Sequence, residues 1–233
     1  MREIVFDTET TGLSPLNGDR IVEIGCVEMF NRCETGRTFH SYFNPGRAMP
    51  SEAEAVHGLS EKFLADKPAF ADMVEDLLTF IGEAPMIAHN ASFDFGFINS
   101  ELGACGRPSV CMSRMVDTLA IARQKFPGAK HSLDALCTRF GVDRSQRIKH
   151  GALLDAQLLA QVYVELTGGR QIGLTLVAEL VGDEAAVATS AEAAEAVAPL
   201  IVRPARPHAP SEEELARHAA FLTKIKDPIW NRI

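Results

Sequence analysis

Asp7-Thr8-Glu9-Thr10-Thr11-Gly12, directly behind the apolar and partly β-branched Ile4-Val5-Phe6, decides how this chain is read. The apolar triplet predicts a strand that runs into a glycine-ended turn at Gly12. Side chains alternate along a strand, so Asp7 and Glu9 share one face while Phe6 and Thr8 take the other. Two carboxylates side by side at the end of a central strand repel each other and lose hydration. A divalent cation between them relieves both problems, and an acidic, all-oxygen site suits Mg2+ or Mn2+. Taken alone, the pair equally fits an exposed strand end with two solvated acids, so its meaning depends on the rest of the chain.

The 233 residues suffice for one domain with a sizeable core plus something extra, but not for two large domains. A hydrophobic fraction of 46% and a charged fraction of 23% are ordinary for a globular protein and exclude wholesale disorder. No apolar run approaches the roughly 20 residues of a membrane span. Met1-Arg2-Glu3 leads straight into the predicted strand with no secretory pattern. Five cysteines, Cys26, Cys33, Cys105, Cys111 and Cys137, are an odd number without a CxxC pair, which argues against disulfides and zinc. The expectation is therefore a cytoplasmic protein with reduced thiols and no membrane partner. A net charge of −8 disfavours binding to phosphates, but its distribution is uneven. Between Arg114 and Lys149 eight basic residues stand against three acids, which suggests a basic rim next to an acidic centre, or else solvated helix faces.

Along the chain, Arg20 to Phe30 and Thr38 to Phe43 alternate apolar and other residues around the turn-rich Asn31 to Gly36, predicting an antiparallel meander with the first strand. Helices are predicted over Ser51 to Val56 and Phe70 to Ile81, then a short strand Met86 to Ala88, a helix from Ser92 to Leu102, and a short strand Met115 to Asp117. Further helices follow over Thr118 to Lys125, Ser132 to Phe140 and Gly151 to Leu166. Strands first and then strands alternating with helices imply an α/β fold: a mixed sheet flanked by helices.

Two later stretches give the opening acids partners. In His89-Asn90-Ala91-Ser92-Phe93-Asp94, Asn90 or Ser92 is placed to cap the next helix and Asp94 falls in its first turn, where an acid also suits the helix dipole without any function. In His150-Gly151-Ala152-Leu153-Leu154-Asp155 the helical period puts Asp155 within about 20° of Val162 and Leu166. It therefore heads an inward-facing apolar stripe, which is costly for a carboxylate without a cation or good hydrogen bonds. Together the three stretches supply Asp7, Glu9, Asp94, Asp155 and His150. Four carboxylates fit two divalent ions about 3.5 to 4 Å apart on a scissile phosphate. A histidine, with an ordinary pKa of about 6.5, suits the general base that takes a proton from water.

The order DxE, then HNxxFD, then HxxxxD resembles the DEDDh family of 3′–5′ exonucleases over roughly residues 3 to 167. The resemblance implies a ribonuclease-H-like fold, two Mg2+ or Mn2+ ions on Asp7, Glu9, Asp94 and Asp155, and His150 as the base that activates water. It further implies that Thr10, Thr11 and Gly12 lie along the terminal nucleotide of a DNA 3′ end, and that Val56-His57-Gly58-Leu59 lines the cleft. His57 also reads simply as a helix-end residue. Residues 1–169 would then be the exonuclease domain.

Beyond Gly169 the composition shifts. Residues 170–182 contain Gln171-Ile172-Gly173-Leu174-Thr175-Leu176, similar to the peptide by which proofreading members of the family bind the sliding clamp through Gln171, Leu174 and Leu176. Leu176 stands where a phenylalanine is common, which implies weak clamp binding. Residues 183–210 hold ten alanines and no aromatic residue, and read as a flexible linker. Residues 211–233 open on a capping-box pattern at Ser211 and Glu214 and carry the apolar stripe Leu215, Ala219, Leu222 and Ile225, with the only tryptophan, Trp230. The resemblance implies that this short terminal helix anchors the chain to the catalytic subunit of DNA polymerase III, and it leaves room for a small accessory subunit. Two other readings share the pattern: a free-standing exoribonuclease, against which the tail argues, and mainly a clamp–polymerase adaptor, against which the five intact catalytic positions argue.

Overall fold

The strand behind the opening acids is longer than its apolar triplet. In the computed structural model, which describes residues 1–145, 147, 149–169 and 209–225, β1 spans Arg2–Thr10. β2 (Ile21–Phe30) and β3 (Cys33–Tyr42) complete the antiparallel meander. The turn between them is only Asn31-Arg32, shorter than the expected Asn31 to Gly36. Both residues take positive φ, 50° and 65°, and this left-handed pair matches the twist of a two-residue hairpin, so pairing continues to Cys33.

Helices α1 (Ser51–His57), α2 (Glu61–Leu64) and α3 (Phe70–Ile81) follow, then β4 (Met86–Ala88), α4 (Ala91–Ala104) and β5 (Met115–Asp117). After β5 come α5 (Thr118–Lys125), α6 (Leu133–Phe140) and α7 (Ala152–Leu166). The sheet order is β3-β2-β1-β4-β5, with β4 parallel to both β1 and β5, so β1 is central and the sheet is mixed, as its pattern predicts.

The alternation along β1 sorts the core into two layers. Ile4 and Phe6, with Ile24 and Cys26 of β2, pack against Phe70, Val74, Leu77 and Ile81 of α3 and Phe95 and Ile98 of α4. Val5, with Val27 and Met29, packs against Ala156, Leu159, Ala160 and Tyr163 of α7. Each fully buried Leu, Ile or Phe contributes about 1.5–3 kcal/mol through burial. Asp7 and Glu9 follow Val5 on the α7 side, and Thr8 follows Phe6 on the α4 side.

Gly25 of β2 sets how closely α7 approaches. It pairs with Asp7 across the strands. A Cβ built on it would lie 2.2 Å from the Leu153 backbone nitrogen, so the first turn of α7 rests directly on the glycine. The acid on that turn, Asp155, is thereby brought beside β1.

The helix α8 (Glu212–Leu222) is described by itself. Ser211 Oγ accepts the Glu214 N–H and the Glu214 carboxylate accepts the Ser211 N–H at 2.8 Å, the capping box read from the sequence. The helix ends at Leu222, short of Ile225, which continues as a turn with its N–H on the Leu222 carbonyl. Gln171, Leu174, Leu176 and Trp230, and most of 183–210, lie outside the described residues. No helix among the described residues is long and apolar enough to cross a membrane.

Replacing Gly25 by alanine should cost about 1–3 kcal/mol in urea unfolding, because the overlap is with backbone and α7 must move. Gly96→Ala, on an exposed α4 position with open space around it, should instead gain about 0.5–1 kcal/mol of helix propensity.

Candidate active site

At the C-terminal end of β1 the two layers meet, and each delivers an acid. Asp155 arrives from α7 on the face that Asp7 and Glu9 share. Asp94, in the first turn of α4, arrives from the other face, where Thr8 Oγ1 donates to its Oδ1 at 2.6 Å. Glu9, Asp94 and Asp155 are buried, with relative exposures of 8%, 3% and 3%.

The electrostatics show that the four carboxylates share one field. Asp7 is held well above the usual carboxylate range by burial first, then by Asp94, Glu9 and Asp155. Burial, followed by Asp155, Glu23 and Asp94, pushes Glu9 up to about 8. Asp94 is pushed to about 7, again chiefly by burial, while hydrogen bonds from Thr8 and from its own backbone hold it lower than burial alone would. Carboxylate oxygens of Glu9 and Asp155 and a ring nitrogen of His150 all lie within 4.8 Å of one another, the spacing of atoms that can hold one ion. His150 precedes α7 on a loop, its side chain about half exposed, where a water can reach it.

The structure thus brings Asp7, Glu9, Asp94, Asp155 and His150 together. Beside them a groove of about 350 Å3 is lined by Glu9, Thr10, Thr11, Gly12 and His57, with Phe93 and Val56 on its apolar side. His57 is the last residue of α1 and is buried; its Nδ1 accepts the Leu59 N–H at 3.0 Å, which leaves the proton on Nε2, and burial lowers its pKa. His89 of the second motif serves the frame: its Nδ1 bonds the Thr118 hydroxyl at 2.9 Å, tying the end of β4 to α5.

Three local expectations change. Neither Asn90 nor Ser92 caps α4 with its side chain. Asn90 instead takes φ of 67° and gives its N–H to Asp117 Oδ1 at 3.0 Å, and that same carboxylate also caps α5. Part of the basic stretch is engaged within the fold: Arg114 bonds the Ala84 carbonyl, Lys125 the Leu166 carbonyl, Arg139 lies over the Phe126 ring, and Arg144 pairs with Asp134. Arg147 turns inward. Its Nε and Nη2 grip the two oxygens of Asp155 at 2.5 and 2.7 Å. It meets the demand for a partner that the inward-facing acid makes, yet sequence spacing shows it only as one cation among eight. Phe93 and Glu23 were also missed; Phe93 lies inside the second motif, and Glu23 pairs directly opposite Glu9 in the β1–β2 register.

The exonuclease family profile matches residues 4–163. The chain is 47% identical over 228 residues to the DNA polymerase III subunit epsilon of Rickettsia felis, covering 97% of each. It is 42% identical over 235 residues to the DNA polymerase III subunit epsilon of Escherichia coli, covering 97% of this chain and 93% of that one. Among solved structures it is similar to exonuclease X in complex with 5′-overhanging duplex DNA, at 27% identity and a TM-score of 0.55 over 70% of this chain and 90% of that one. It shares its fold with the nuclease domain of 3′hExo, a DEDDh family member bound to rAMP, at a TM-score of 0.62 and 15% identity over 71% of this chain and 90% of the other.

The raised carboxylates make a signature in pH. Glu9, ordinarily near 4.5, titrates near 8 in the folded chain, and Asp94 near 7, so the folded metal-free protein holds protons that the unfolded chain has released. Where the folded state binds more protons, stability falls as pH rises. Thermal unfolding in chelator should therefore show stability declining from about pH 4.5 to about pH 8, with Glu9→Gln losing much of that decline. A midpoint that climbs across this window in the metal-free protein would contradict the assignment.

Proposed function

The chain belongs to the exonuclease family and, within it, to the DNA polymerase III epsilon subunits, and from that membership we propose that it is a metal-dependent 3′–5′ exodeoxyribonuclease that removes mismatched 3′-terminal nucleotides for the replicative polymerase. The observation that carries this reading is the four-carboxylate cluster at the end of β1, with Glu9, Asp94 and Asp155 buried, Asp7 partly so, and His150 at its edge.

The donor set fits divalent cations. Its carboxylates are hard oxygen donors whose burial and repulsion drive them towards protonation unless positive charge is supplied. Asp7, Glu9, Asp94 and Asp155 are the residues that would hold two Mg2+ or Mn2+ ions. When bound, such ions supply Lewis-acid stabilisation of the charge that builds on the scissile phosphate.

The chain's own residues do the rest. His150 takes a proton from the attacking water, whose oxygen bonds to the phosphorus of the terminal phosphodiester. The bond from phosphorus to the 3′ oxygen of the penultimate nucleotide breaks, that oxygen takes a proton from solvent to become the 3′-hydroxyl of the shortened strand, and a nucleoside 5′-monophosphate leaves. Thr10, Thr11, Gly12 and His57 line the groove for the terminal nucleotide, with Phe93 offering a ring to stack on it. The groove needs no base-reading code, because a mismatched end is cheaper to unpair than a matched one.

The tail fits the same role. α8 exposes Leu215 and Phe221, and with Leu222, Ile225 and Trp230 it would form an apolar anchor for the polymerase's catalytic subunit. Gln171, Leu174 and Leu176 would add a weak hold on the sliding clamp, and a small accessory subunit on the exonuclease domain is compatible with both. Tethering raises the local concentration of nuclease at the primer end without changing the site.

Asp7→Asn should lower digestion of a 3′-mismatched DNA primer in Mg2+ by at least about a thousandfold, the loss that accompanies several kcal/mol of charge stabilisation, with circular dichroism unchanged. His150→Ala should cost about 10²–10⁴-fold. Activity retained in Asp7→Asn would end the metal reading, and faster digestion of a matched RNA strand would replace the DNA substrate with RNA. Deleting residues 211–233 should abolish co-purification with the polymerase subunit while leaving hydrolysis of free single strands intact.

A further inference from the structure

One cation sits inside the acidic cluster. Arg147, on the loop before α7, has a side chain only 9% exposed. Beyond its two bonds to Asp155, its Nη1 donates to Asp134 Oδ1 at 2.8 Å and its Nη2 lies 2.8 Å from His150 Nδ1. Its charge opposes the upward shift at both Asp7 and Glu9. We infer that Arg147 is the resident counter-ion of the carboxylate cluster, and that a divalent ion competes with it for Asp155, an inference that rests on the metal-site reading above.

Geometry makes the competition direct. The planar fork of Arg147 engages both oxygens of Asp155 at once, and these oxygens hold the lone pairs an ion would coordinate. Each oxygen keeps a second lone pair, so the competition is chiefly one of charge: an ion at Asp155 meets the guanidinium within a few ångströms, and that repulsion falls when Arg147 swings out. Asp134, about half exposed and already bonded to Arg147 and Arg144, gives the guanidinium an anion to stay with as it swings out.

The same contact holds His150. Its Nδ1 lies 2.8 Å from Arg147 Nη2 and 3.2 Å from Asp155 Oδ2, and it can accept from the first or donate to the second, not both. While Nδ1 accepts from Arg147, its lone pair is not open to water. One displacement therefore eases an ion's approach to Asp155 and frees His150 Nδ1. Arg147 keeps the metal-free site neutralised.

A brace and a competitor differ in the sign of their effect on metal affinity. If Arg147 only oriented Asp155 for the ion, its loss would weaken binding, as removing supporting partners of metal ligands generally does. As a competing charge a few ångströms away, its loss should tighten binding by about tenfold. The test is calorimetric titration of Mn2+ alone into the full-length wild type, Arg147→Met and Arg147→Lys, alongside thermal unfolding in chelator. Arg147→Met should bind Mn2+ about tenfold more tightly, unfold at a lower temperature without metal, and gain more stability from Mn2+ than wild type. Arg147→Lys keeps the charge without the fork and so folds like wild type; its affinity should fall between the two. Equal or weaker Mn2+ binding by both variants overturns the inference while leaving the metal site standing. A wild-type chain that binds no Mn2+ removes the site and the inference together.

Discussion

Four carboxylates held away from water and within one another's field cannot all stay charged without help, and the end of β1 is built around that constraint. Help comes in three forms. Protons remain on Glu9 and Asp94 at pH values where exposed acids have lost them. Hydrogen bonds from Thr8 hold Asp94. The guanidinium of Arg147 covers Asp155. Together these keep the cluster tolerable in the free chain and leave it a set of hard oxygen donors that added positive charge would stabilise.

The two-layer core explains why the acids meet where they do. A central strand presents one side chain to each layer in turn, so a site at its end can recruit from both helical layers, Asp94 through α4 and Asp155 through α7. Close approach on the α7 side depends on Gly25, where no side chain intervenes between sheet and helix. On the α4 side the approach is tied by Asp117, which binds the Asn90 amide and caps α5 with the same carboxylate.

Much of this was legible in the sequence because its signals are periodic or local. The alternation around Ile4-Val5-Phe6, the helical spacing over Phe70–Ile81 and the inward phase of Asp155 are all consequences of backbone geometry that every residue in the element repeats. The Ser211–Glu214 capping box is complete within four residues and needs no tertiary context. What escaped depends on single residues whose roles are settled by distant partners. Asn31-Arg32 turns the chain because both adopt positive φ, which composition alone does not mark for arginine. Asn90 exchanges a cap for a bond to a residue 27 positions away. Arg147 looks like any other cation until the fold places a buried acid against it. The site residues themselves were readable only jointly, since each short motif has a bland explanation and their common order does not.

The distance in sequence between β1 and α7 has a consequence for synthesis. β1, β2 and β3 are neighbours along the chain and can pair as soon as they are made. The last acid of the cluster stands at Asp155, on the helix that closes the second layer of the core. A growing chain therefore carries Asp7 and Glu9, and later Asp94, without the element that completes them until α7 is made. Any fragment that stops short of α7 lacks one wall of its core and one corner of its site. Cutting power and finished fold thus arrive together, so a truncated product is left without the means to degrade the strand it was made to guard.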